Sequence, residues 1–182
     1  MTEPPAAELP PKQLFMVADA ARARSVTPPE LPAGCQLRGF RPGDQPGWVA
    51  LLAASGFEGW TVDQFDAYMA APERLTGSRA VERDGRLVAA AFASRRSSDP
   101  PQGALDYVVC HPEHQGRRLG LVVCAAVVEH LIDQGYETIS LLTDDWRLAA
   151  VKTYFNLGFE PVITRIDMPD RWLKVRQQLH LT

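Results

Sequence analysis

The chain has 182 residues, a formal net charge of −3 and an apolar share of 46%. That length suits one domain with a sizeable core, and the composition argues against global disorder. With no long basic run and no apolar stretch long enough to span a bilayer, neither nucleic acid nor membrane is expected as a partner.

The N-terminus, MTEPPAAELPPKQ, is acidic and Pro-rich and lacks the basic start and apolar stretch of a secretory signal. Cys35, Cys110 and Cys124 are odd in number and far apart. They read as thiols in a reducing cytoplasm and not as a disulfide framework. Residues 1–34 read as an arm lying on the domain, because prolines in ELPPK and TPPELP break helices and central strands. LFMVADAARARS, Leu14 to Ser25, is expected as one short helix within that arm. The domain proper is expected over residues 35–182.

CQLRGF reads as an edge strand. RPGDQPGWVALLAAS follows, with Asp44 as a cap and Trp48, Leu51 and Leu52 on one helical face. TVDQFDAYMA carries Thr61 and Gln64 at capping-box spacing and predicts a second helix. Asp84-Gly85 between two extended apolar runs predicts a hairpin. ALDYVVC is a further strand. From Leu119 to Gln134 apolar residues recur at helical spacing, ended by Gly135. TISLLT is a short strand, WRLAAVKTYFNL a helix ended by Gly158, EPVITRIDM extended, and DRWLKVRQQLHL a C-terminal helix capped by Asp170. The series predicts an α/β (α+β) domain, a mixed central β-sheet flanked by helices on both faces.

HPEHQGRRLG, His111 to Gly120, follows a strand and opens a helix. A turn so placed leaves backbone N–H groups without helical partners at the positive end of the helix, which suits a pyrophosphate. Gly116 and Gly120 leave room there, and Arg117 and Arg118 add charge. An ordinary solvated turn would show the same residues. His111 and His114 flank Pro112 and Glu113, but no third ligand is spaced to complete a metal site.

VVCHPEHQGRRLG followed by AAVKTYFNLGF resembles the GNAT superfamily of N-acetyltransferases over roughly Cys35 to Met168. The first piece is similar to its acetyl-CoA signature, Q/R-x-x-G-x-G/A, and the second to its Ala-x-x-x-Tyr-x-x-x-Gly-Phe helix. The resemblance implies a single GNAT-like domain and acetyl-CoA as cosubstrate, with no metal. It implies that backbone groups of Val108, Val109 and Cys110 line the pantetheine and acetyl group. Backbone N–H groups over Gln115, Gly116, Arg117, Arg118, Leu119, Gly120 and Leu121 would hold the pyrophosphate, and Tyr154 would protonate the departing thiolate. Three departures stand out. Arg118 replaces the first motif glycine, which is expected to be tolerated if the residue is already helical. Arg147 stands where relatives often carry an Asn that contacts CoA. The final strand usual in the family has little room after Met168, where the C-terminal helix is expected.

Amine acetylation needs a base for the amine proton, donors for an oxyanion and an acid for the thiolate. Asp106 is the leading candidate base, acting through water. It could equally be a cross-strand partner for an arginine. Thr143, Asp144 and Asp145 at a strand end read as helix caps or as acceptor contacts. In the segment GFEGWT, Phe57 and Trp60 could wall the acceptor site, with Glu58 as an amine anchor, or Phe57 and Trp60 could be core staples. The sequence reading is thus an N-acetyltransferase using direct transfer to a small-molecule or peptide amine, with a lean toward a cationic small amine and room for a homodimer. A non-catalytic CoA-binding sensor or scaffold is the rival reading.

Overall fold

The computed structural model describes residues 13–97 and 100–181. Seven strands form one sheet in the order β2-β3-β4-β5-β6-β1-β7. They are β1 (Leu14–Asp19), β2 (Cys35–Gly39), β3 (Arg79–Arg83), β4 (Arg86–Arg96), β5 (Gln102–Cys110), β6 (Thr138–Thr143) and β7 (Glu160–Val162). Only β5 and β6 pair parallel, at Gly103–Ile139 and Ala104–Ser140; the other neighbours are antiparallel. The helices are α1 (Ala20–Arg24), α2 (Gln45–Ala54), α3 (Val62–Met69), α4 (Pro72–Gly77), α5 (Leu119–Asp133), α6 (Leu148–Asn156) and α7 (Met168–Gln178). One face of the sheet is covered by α2 and α3 over Trp48, Phe65 and Phe92. The other carries α1, α5, α6 and α7 over a larger core that includes Leu131, Leu141, Val151 and Trp172. The mixed sheet with helices on both faces is therefore as the sequence predicts.

Local signals explain most elements. The capping box of α3 is formed: Gln64 N–H donates to Thr61 Oγ1 at 3.2 Å, and Thr61 N–H to Gln64 Oε1 at 2.9 Å. Asp84 and Gly85 both adopt positive φ, 50° and 73°, the backbone that matches the twist of a two-residue hairpin. Asp44 holds the N-cap position of α2 but makes no side-chain cap. Its carboxylate instead accepts from Arg38 Nη2 at 2.9 Å and from Arg41 N–H at 2.7 Å, while Arg38 Nε donates to Glu82 at 2.7 Å. This partly buried triad ties β2, β3 and the start of α2. The C-terminal helix starts earlier than expected, with Asp167 at the N-cap and Asp170 in the first turn. The expected extended run after Gly158 contracts to the three residues of β7.

The N-terminal segment departs most. Leu14 to Ser25 is not one helix: it is β1 followed by the single turn of α1. Leu14, Met16 and Ala18 are buried, while Phe15 and Val17 alternate with them on the other face. That period of two is a strand signal concealed by helix-forming residue types. Asp19 ends the strand and caps α1, accepting from Ala21 N–H at 2.9 Å and Arg22 N–H at 3.2 Å. The prolines that marked an arm lie before and after this segment, and none falls between residues 12 and 27. So β1 enters the interior of the sheet, paired along its length with β6 and for three residues with β7. The strand missing after Met168 is made good from the other end of the chain.

Two outcomes follow. Met16→Ala should lower unfolding free energy by about 2–5 kcal/mol in urea titration, the range for a buried Met. Removal of residues 1–30, which an arm would tolerate, should abolish the cooperative transition; a truncated chain that unfolds like the full one contradicts the role given to β1.

Candidate functional site

The site begins with an irregularity in β5. Phe92 on β4 pairs with Asp106, yet Ala90 pairs with Val109, so Tyr107 and Val108 together face Ala91. This is a β-bulge, and Tyr107 takes a left-handed backbone with φ 42°. From Gly103 and Ala104, where β5 still pairs with β6, the two strands part toward their C-terminal ends. Val108 then presents its carbonyl to the gap, where Arg147 Nη2 donates to it, while Val109 keeps its pairing with Ala90.

The turn after β5 supplies the second wall. Pro112–His114 forms a 3-10 turn, and Gln115 Nε2 donates to Cys110 O at 3.4 Å. Gly116 and Arg118 are both left-handed, with φ 76° and 60°. The condition under which a non-glycine would be tolerated at Arg118, a helical backbone, is therefore not met. Arg118 is the N-cap of α5, in a backbone that favours the glycine it replaces and costs a side-chain-bearing residue about 1–2 kcal/mol. The first intrahelical bonds of α5 come from Leu121 and Val122 N–H to Arg118 O, at 3.0 and 3.2 Å. The N–H groups of Leu119 and Gly120 stand ahead of them at the positive end of the helix. A Cβ added at Gly116 or Gly120 would meet no atom within 4 Å.

Between these walls and α6 lies a cavity of about 770 Å³. Val108, Val109, Cys110, Gln115, Gly116, Arg118, Leu119, Gly120, Leu121 and Arg147 all line it, so the structure brings nearly every residue of the expected cofactor site together. Arg117 does not line it. It lies within electrostatic reach of Cys110 and His114. The sequence reading missed Ser55, Trp146 and the face of α6 formed by Ala149, Lys152, Thr153 and Asn156. That face has the i, i+3, i+4, i+7 spacing of one helical stripe, a signal available in the sequence. Ser55 Oγ and His114 Nδ1 are buried beside the cavity without hydrogen-bond partners.

Tyr154 and Asp106 lie on opposite faces of the sheet. Tyr154 packs in the α5–α6 core against Phe159, with ring centroids 6.1 Å apart, and does not line the cavity. Burial raises its phenol above the ordinary value, Cys124 adds to the rise, Arg147 opposes it, and Asp106 and Asp144 add to it again. Asp106 shares the α2–α3 face with its strand partner Phe92. Its carboxylate pairs with Arg96 at 3.5 Å, and Arg96 Nε donates to Ser140 Oγ at 3.0 Å. Asp106 is thus an arginine's cross-strand partner, and like Tyr154 it does not line the cavity. Phe57 and Trp60 pack edge-on against Tyr107 at 5.4 and 5.3 Å, so both brace the bulge; Glu58 is exposed. Asp144 and Asp145 do not cap α6, whose N-cap is Arg147. Arg171 Nε of α7 donates to Asp145 at 2.9 Å, and Gln13 Nε2 to Asp144 at 3.3 Å.

The thiols are protected. Burial pushes Cys110 up to about 11, with Arg117 opposing, and burial also raises Cys124. Burial, with Arg117, Arg83 and His111 nearby, holds His114 below the usual imidazole value.

Residues 46–159 match the family described as Acetyltransferase (GNAT) family. The mycothiol acetyltransferase of Thermobispora bispora is 33% identical over 142 residues, 72% of this chain and 48% of that protein. The mycothiol acetyltransferase of Sanguibacter keddieii is 34% identical over 158 residues, 78% of this chain and 50% of that protein. The chain thus spans about half the length of these curated relatives. Among solved structures, a GCN5-related N-acetyltransferase from Sphaerobacter thermophilus superposes with a TM-score of 0.68 at 17% identity, over 84% of this chain and 49% of that one. The ribosomal-protein-S18-alanine N-acetyltransferase from Escherichia coli gives 0.60 at 19% identity, over 71% and 79%. Those structures speak to the fold, and the family match takes in both the bulged strand and the tyrosine helix. The chain belongs to the acetyltransferase (GNAT) family.

Proposed function

We propose that this domain moves an acetyl group from acetyl-CoA to an amine by direct transfer. The observation that carries the reading is the cavity itself. It joins a backbone N–H cradle at α5 to a gap beside the bulged stretch of β5. The cradle suits the pyrophosphate of CoA, since Leu119 and Gly120 offer free N–H groups and neither Gly116 nor Gly120 has a Cβ to obstruct it. The unpartnered Ser55 Oγ and His114 Nδ1 are further groups that such a ligand could satisfy.

In the reaction the amine nitrogen attacks the thioester carbonyl, a C–N bond forms, the C–S bond breaks, and the amine's proton leaves. N–H groups of the bulged strand would receive the developing oxyanion. Asp106, through water, would take the amine proton on the α2–α3 face. Tyr154 would meet the thiolate from the α5–α6 face. With its pKa raised, Tyr154 stays protonated through the neutral and mildly alkaline range, so it serves as a hydrogen-bond and proton donor there. Cys110 is the thiol at the cavity wall, and its raised pKa leaves little thiolate at neutral pH, which disfavours an acetyl-cysteine intermediate. The relatives' printed name puts a mycothiol-related amine in the acceptor panel for testing.

Three outcomes test the reading. Gly120→Glu, which projects an anion into the cradle, should fold normally and lose CoA affinity by roughly tenfold or more in calorimetry; unchanged binding would sink the cradle. Arg118→Gly relieves a left-handed arginine, so stability should hold or rise by up to about 1 kcal/mol. CoA binding should nonetheless weaken by about 3- to 10-fold as a phosphate contact is lost; equal affinity would remove the guanidinium from the site. Tyr154→Phe should change stability within about 1 kcal/mol and lower kcat by roughly 10²–10⁴ with CoA affinity kept. The parent enzyme should show no loss of rate from this phenol up to about pH 10, its ordinary pKa. A Phe variant with parental turnover, chemistry being limiting, would take Tyr154 out of the mechanism.

A further inference from the structure

Arg147 stands where the resemblance expects a CoA contact, yet its guanidinium is directed elsewhere. Nη2 donates to Val108 O at 3.1 Å, on the bulged stretch of β5. One flat face lies over the Phe57 ring, 4.9 Å from its centroid, and the group is 5.7 Å from that of Trp146. Phe57 belongs to the connection between α2 and α3 and packs on Tyr107. The guanidinium therefore crosses the gap from the start of α6 to β5, beside the Phe57 segment that the sequence reading offers as an acceptor wall.

Its charge has no carboxylate partner among the described residues. The two nearest in sequence are engaged elsewhere: Asp145 receives Arg171, and Asp144 receives Gln13. An arginine with its faces near aromatic rings and one N–H bound to a carbonyl keeps four in-plane donors. That planar fork matches a carboxylate bidentately. Leaving a half-buried cation unneutralised is costly unless a ligand completes it.

We propose that Arg147 anchors the carboxylate of the acceptor, and that the acceptor is a free α-amino acid. The inference rests on the acetyl-transfer reading, which puts the acyl carbon beside Val108 and Val109. An amine attacking there and a carboxylate bound at Arg147 can be only a few bonds apart. In an α-amino acid the amine nitrogen and the carboxyl carbon are separated by about 2.5 Å, from standard bond lengths and angle. A peptide N-terminus has an amide at that position and a simple cationic amine has nothing, so the site discriminates against both. This reverses the lean toward a cationic small amine.

The test uses the full chain, acetyl-CoA and release of free thiol, with the twenty amino acids and their carboxamides as paired acceptors. At least one free acid should be preferred over its carboxamide by roughly 10- to 100-fold in kcat/KM, chiefly through KM. Arg147→Gln should remove most of that preference by weakening the acid far more than the carboxamide, while Arg147→Lys, a charge without the fork, should restore it in part. Carboxamides used as well as acids would overturn the proposal. So would an equal loss for both in Arg147→Gln, which would mean that the arginine acts on the transferring group or on CoA. Tighter CoA binding by Arg147→Gln would likewise overturn it, by making the side chain an obstruction in the groove. If no acceptor releases thiol, acetyl transfer itself fails, and calorimetric titration of the same pairs into the CoA-loaded protein decides the anchor. Binding of an acid and not its carboxamide, lost in Arg147→Gln, supports it; binding of neither, or of both alike, overturns it.

Discussion

The extra residue in β5 is the constraint on which the site depends. A regular strand would carry its pairing with β6 on to Tyr107, opposite Thr143 at the end of β6, and close the sheet. Setting Tyr107 and Val108 against Ala91 turns β5 away, and the pairing with β6 stops at Ala104. The left-handed backbone of Tyr107 is unfavourable by itself. Its ring is held by Phe57, Trp60, Tyr68 and Phe92, each at 5.3–6.0 Å. An aromatic cluster worth several packing contacts thus maintains one strained residue, and that residue opens the wall of the cavity.

The same logic accounts for β1. A sheet split between β5 and β6 loses much of the cohesion between its halves, so β6 needs support on its other edge. β1 gives it a full-length antiparallel partner, and its buried Leu14, Met16 and Ala18 join the core that also packs α5 and α6. The segment that composition marked as an arm is therefore what holds the distal half of the sheet in place.

Elements announced by a local signal were legible in the sequence: the Thr61–Gln64 capping box, the Asp84-Gly85 hairpin, and the long apolar helix opened by the glycine turn. β1 was not, because Leu, Met and Ala favour helices and only its neighbours in space make the alternation decisive. The bulge was not, because Asp-Tyr-Val has no glycine to mark a positive φ. Arg118 is hidden for the same reason: nothing in its type marks the left-handed backbone it adopts. Asp44 and Asp145 were read as caps by type and position, but each is taken by an arginine of another element, Arg38 of β2 and Arg171 of α7. The cofactor wall was legible because it is built from backbone over one continuous stretch. The stripe of α6 that completes the cavity, with Ser55 from α2's end, comes from separate segments and was not.

In the proposed reaction the two faces of the sheet would divide the proton chemistry. On one, Tyr154 and Cys124 are buried among apolar residues, and burial holds both in their neutral forms. On the other, Asp106 sits among Arg96, Ser140 and Tyr68, a polar setting that suits a charged base. A thioester lying in the gap would have its leaving group toward the neutral, donating face and its carbonyl open to the charged, accepting one. Arg147 belongs to neither core. It leaves the start of α6 and reaches Val108, so the one guanidinium touches both walls of the gap. A ligand that neutralises it would therefore be felt at the bulged strand as well as at the tyrosine helix, which couples acceptor recognition to the geometry of the transfer site.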